Sequence, residues 1–115
     1  MNGRDAMQAA LSTGGTAVFP VVICYDEIFI RDHWEGLTSR PWWHGFAPGL
    51  EEQQGWIRDV FDAVPMDWFT VRPIGPRARR QSQTVEEYSD HVVIRDATDG
   101  STYPLKRPGI AEQGH

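Results

Sequence analysis

The chain has 115 residues, room for one domain, and its 40% hydrophobic and 23% charged residues support a packed core and exclude wholesale disorder. A net charge of −5 does not suit a general binder of phosphate backbones, and one cysteine excludes both an internal disulfide and a multi-cysteine zinc site. The longest apolar run, Ala17 to Tyr25, is about half a membrane span, and the N-terminus lacks the layout of a secretory signal; a cytoplasmic protein with no membrane and no nucleic-acid partner is expected.

Residues 3–12 read as a short helix. Asn2 is placed to cap it, Asp5 lies in its acidic first turn, and Ala6, Met7, Ala10 and Leu11 form a thin apolar stripe before Gly14-Gly15. The run Ala17 to Cys24 is short, β-branched and continuously apolar, the pattern of a strand buried on both faces of a parallel sheet. Pro20 confines its hydrogen-bonded part to Val21 through Cys24. Tyr25 to Trp34 reads as a helical turn or short helix, and Arg40 to Gly49, with its prolines and glycines, as a loop. Leu50 to Val64 is the clearest helix: Ile57, Val60, Phe61 and Val64 recur at helical spacing, Glu51 and Glu52 open it, Gly55 weakens it and Pro65 closes it. Asp67 to Val71 reads as a second strand, parallel to the first, and the pair with its intervening helix makes a βαβ unit. The remainder is more polar. Gln83 to Tyr88, His91 to Ala97 and Ser101 to Lys106 read as short strands of an antiparallel meander, with Asp99-Gly100 as a turn.

This order of pieces resembles a known family. The stretch Gly3-Arg-Asp-Ala-Met-Gln-Ala-Ala-Leu11 leads into Val18-Phe-Pro-Val-Val22, and later come Val64-Pro-Met-Asp-Trp-Phe-Thr-Val71, Val85-Glu-Glu87, His91-Val-Val-Ile-Arg-Asp96, Thr98-Asp-Gly100 and Tyr103-Pro-Leu-Lys-Arg-Pro108. Over roughly residues 3–108 the chain resembles the N-terminal part of uroporphyrinogen decarboxylase-like proteins, which include the decarboxylase itself and corrinoid-linked methyltransferases. The resemblance implies an α/β fold: the first βαβ part of a (β/α)₈ barrel followed by an antiparallel hairpin or meander. Such a barrel needs about 250 residues, so the chain corresponds to its first third, an incomplete barrel. The expected division is 1–75 for the barrel start, 76–108 for the meander and 109–115 for a tail. A lyase or methyltransferase acting on a small-molecule substrate is implied for the full-length family, with this portion inactive alone. The arginine-rich loop of the haem-pathway decarboxylases is replaced here by Cys24 through Trp34, so their porphyrinogen carboxylate-binding pattern is absent.

In such a barrel the C-terminal end of each strand faces the active site. That makes Asp26, Arg31, Asp32 and His33 the candidate catalytic residues, the acids and the imidazole for proton transfer and Arg31 for a substrate carboxylate. Tyr25, Trp34, Trp42, Trp43 and His44 are the candidate substrate-binding residues, since aromatic groups beside Arg40 suit a flat ligand or a partner surface. The plainer alternatives are a surface turn whose charges pair in water and a loop that folds its tryptophans onto the core. Cys24, His33 and His44 lack metal-ligand spacing, and no cofactor is evident; corrinoid or zinc belongs only to a full-length relative, whose ligands come late in the chain. Arg72, Arg77, Arg79 and Arg80 form the one basic cluster, read as an anion site or a solvated loop. An incomplete barrel leaves apolar strand edges, through which self-association is expected. The alternative is a small α+β binding or interaction module without catalysis.

Overall fold

Asn2 fixes the start of the first helix from two directions. Its side-chain oxygen accepts from the Asp5 amide at 2.9 Å while Asp5 Oδ2 accepts from the Asn2 amide at 3.3 Å, a reciprocal cap that satisfies two orphan donors of α1 (Gly3–Leu11). The computed structural model describes residues 2–21, 23, 25–67 and 72–109. At Gly3 the helix meets another part of the backbone. A Cβ there would lie 2.5 Å from the Asp67 carbonyl oxygen, so only glycine permits this approach.

Four short helical elements follow: α2 (Asp26–Asp32), α3 (Trp34–Leu37), a 3₁₀ turn (Trp42–Phe46) and α4 (Leu50–Ala63). Their shared core is Ile30, Trp34, Trp56 and Val60, with Phe29, Leu37, Trp42 and Ile57 packed around it. The Trp34 and Trp56 rings lie 5.6 Å apart at 46°, within the range favoured by their quadrupoles. The inward stripe of α4 is therefore Trp56 and Val60, flanked by Ile57, while Phe61 and Val64 remain half-buried. Gly55 has a steric reason. A Cβ there would lie 2.6 Å from Cζ of Arg40, whose Nε donates to Asp59 Oδ2 at 2.8 Å. Asp59 Oδ2 also accepts from the hydroxyl of buried Thr38 at 2.6 Å, which ties the segment after α3 to α4.

The C-terminal part follows its sequence pattern closely. α5 (Arg77–Ser82) leads into β1 (Gln83–Glu87), β2 (Val92–Asp96) and β3 (Thr102–Leu105), an antiparallel sheet in the order β1-β2-β3. Val85 pairs with Ile94, and Ile94 with Tyr103. Gly100 turns the second hairpin at φ 72°, its amide donating to the Asp96 carbonyl at 2.8 Å. Pro104 falls on edge strand β3, where a missing donor is tolerated.

The chain is thus mixed α+β, helices followed by a three-stranded antiparallel sheet not closed into a barrel. The antiparallel meander and the unclosed architecture stand as expected. The expected parallel strands fall largely on residues 22, 24 and 68–71, which lie outside the described residues. The described part of the first apolar run forms no strand and is open to solvent, with Val18 60%, Phe19 78% and Val21 62% exposed. The molecule carries 8336 Å² of accessible surface, against ~6,400 Å² for a compact monomer of its mass. Its radius of gyration is 17.7 Å, against about 13 Å for a compact domain of this length. Among the described residues no helix is long and apolar enough to cross a membrane.

Several carboxylates are held below their ordinary range by specific donors. Glu86 is lowered to about 2 by Arg95, whose Nε donates to it at 2.5 Å, and by the Tyr88 hydroxyl at 2.6 Å. Thr38 and then Arg40 lower Asp59, and Arg107 lowers Glu35. A carboxylate whose folded pKa is depressed stabilises the fold above its unfolded pKa and loses that contribution as pH falls through the folded value. The melting temperature is therefore expected to fall steadily from about pH 4.5 towards pH 2, and less steeply in high salt, which screens these exposed pairs. A flat melting temperature over that interval would contradict the ion-pair geometry.

Candidate functional site

The helical layer and the sheet border an open cleft of about 710 Å³. Trp34, Trp42 and Trp56 form its aromatic wall, and Ile28, Ile57 and Ile74 extend the apolar surface. Gln53 builds this wall from α4. Its Nε2 donates to the carbonyls of His44, Gly45 and Ala47 at 3.2, 3.2 and 2.8 Å, and its Oε1 accepts from Trp56 Nε1 at 2.9 Å. The 3₁₀ turn is thereby held against α4 by one amide, and Trp34 is fixed by donating Nε1 to the Arg40 carbonyl at 2.7 Å.

Five arginines also line the cleft: Arg31, Arg72, Arg79, Arg80 and Arg107. Glu27 is the one carboxylate lining it among the described residues. Arg72 bridges two carboxylates, Nη1 donating to Glu27 at 2.7 Å and Nη2 to Asp26 at 3.0 Å, and its guanidinium lies 5.8 Å from the Trp56 ring centre. Arg107 pairs with Glu35. Arg31 Nε donates to Asp32 at 3.2 Å, but its Nη2 is buried and finds no acceptor.

The candidate residues separate into two sets. Arg31, Trp34 and Trp42 come together in the cleft. Asp26 and Asp32 serve as counter-ions to arginines instead. Tyr25 is 83% exposed and adopts φ 55°, an αL conformation uncommon for a non-glycine residue, where the chain turns into α2. His33 joins α2 to α3 and is exposed, its ring 4.7 Å from Phe29. Trp43 lies away from the cleft, donating Nε1 to Glu87 at 2.8 Å and so joining the 3₁₀ turn to β1. His44, 4.3 Å from the Trp43 ring, is shifted below the usual imidazole value by burial, and its buried Nδ1 lacks a partner. Among the described residues no three His, Cys, Asp or Glu side chains gather as a metal site.

Sequence reasoning missed Gln53, Trp56 and Arg107, and read the stretch that becomes α5 as loop. The one legible signal was the basic cluster Arg72, Arg77, Arg79 and Arg80, three of whose members line the cleft. The chain matches no protein-family model, no curated protein and no solved structure.

Proposed function

We propose that the chain is the opening portion of a uroporphyrinogen decarboxylase-like (β/α)₈ barrel, of the decarboxylase or methyltransferase class, without turnover by itself. One observation carries this reading: the residues flanking the two expected strands meet start to start and end to end. At the start, Asp67 N donates to the Val21 carbonyl at 2.8 Å and Val21 N donates to Asp67 Oδ2 at 2.5 Å. At the end, Arg72 binds Asp26 and Glu27. Neighbouring segments that run in the same direction need this order, whereas antiparallel ones would join start to end. Helix α4 lies between them in sequence, as the crossover of a βαβ unit requires. The large accessible surface and the exposed Val18, Phe19 and Val21 fit a fold whose neighbours are missing, and self-association through that surface belongs to the same reading. The substrate in this reading is a small molecule bound at the strand ends.

The test is a nuclear Overhauser map of the labelled chain. Backbone contacts in a parallel register between residues 21–24 and 68–71 are expected. An antiparallel register, or no contact, would overturn the barrel reading. The cleft favours the second reading, a small α+β binding module, because Trp34 and Trp56, which line it, belong to a core that the helices form without a barrel.

A further inference from the structure

We infer that the cleft between the helices and the sheet is a binding site for a small organic molecule with a dianionic head and an apolar body. The site holds whether or not the chain opens a barrel.

The wall and the rim ask for different parts of one ligand. Trp34, Trp42 and Trp56 with Ile28 and Ile74 offer an apolar surface large enough for a ring system. Around it the arginines differ in how far they are neutralised. Arg72 and Arg107 already hold carboxylates. Arg79 and Arg80 have no carboxylate partner among the described residues; Arg80 Nε donates only to the Gly75 carbonyl at 2.9 Å. Two uncompensated guanidinium groups facing one cleft match a double negative charge. Arg31 adds the third element. A buried guanidinium nitrogen without an acceptor is costly and rare; Arg31 Nη2 is closed off from solvent, and a turn of the Arg31 side chain towards the cleft that the residue lines brings it to a ligand oxyanion there. Arginine presents its donors as a planar fork, which suits an oxyanion with several acceptor oxygens. The overall negative charge of the protein does not oppose this, since among the described residues one carboxylate, Glu27, lines the cleft and Arg72 holds it.

Phenyl phosphate at pH 8 is the first ligand to titrate, followed by tryptophan fluorescence of the full chain. A saturable change is expected, with benzoate weaker, inorganic phosphate weaker again and benzyl alcohol without saturation. A second aryl dianion, phthalate, separates phosphate from dicarboxylate recognition, and saturation by either supports the site. The Arg79→Gln, Arg80→Gln double variant, shown to be folded by circular dichroism, is expected to weaken the dissociation constant by about tenfold or more. Arg31→Lys keeps the charge, removes the fork and is expected to weaken it independently. Equal binding of benzyl alcohol and phenyl phosphate, or undiminished binding by both variants, would overturn the inference.

Discussion

Trp56→Ala is expected to cost about 3–5 kcal/mol, the usual range for removing a large buried aromatic side chain. Small domains have only about 5–15 kcal/mol in total, so most of the cooperative transition should be lost. Trp56 is 5% exposed and packs with Ile30, Trp34 and Val60. It also donates to Gln53, so its removal releases the amide that holds the 3₁₀ turn. Urea denaturation followed by circular dichroism measures the effect. Phe61→Ala, on the half-buried side of α4, serves as the comparison and should cost clearly less. Equal losses at the two positions would mean that the core is not where the packing puts it.

Arg72→Gln is expected to cost about 1–3 kcal/mol, because it strands a carboxylate that is mostly removed from water. The Asp26 side chain is only 20% exposed, whereas Glu27 is 71% exposed and should contribute little. A double-mutant cycle with Asp26→Asn should therefore return a coupling above that of the same cycle with Glu27→Gln. No coupling at Asp26 would remove the tie between the ends of the two expected strands, and with it half of the argument for parallel neighbours.

The local signals in the chain were legible and the long-range ones were not. Asn2 with Asp5, Asp99 with Gly100 and the alternation of the last three strands are contacts between residues close in sequence, and each forms where its chemistry directs. α4 was also legible in extent, since Pro65 and the paired glutamates mark its ends. Its inward face was read only in part: Val60 and Ile57 do pack on the core, but Trp56 was passed over because Phe61 and Val64 also satisfy helical spacing. The choice between the two faces is made by Trp34, which lies on another helix. The cleft was legible only as residue types. Arg31, Trp34 and Trp42 were singled out, but Arg107 reaches the same space from beyond β3 in the chain, which no local pattern encodes. Asp26 was read as a proton-transfer group, and its role as a counter-ion depends on Arg72, far along the chain.

The close approach of Gly3 to Asp67 bears on how the molecule is made. During synthesis α1 leaves the ribosome ahead of its docking point, which emerges about sixty residues later, several seconds at ordinary elongation rates. A nine-residue helix is marginal in water, and this one buries little beyond Ala6. Its reciprocal cap therefore favours a nascent turn until its seat arrives, and α1 docks only after α2, α3 and α4 have been made. A side chain at position 3 would leave the helix intact and the seat unfilled, so an alanine there should appear as faster amide exchange confined to residues 3–11 rather than as global unfolding.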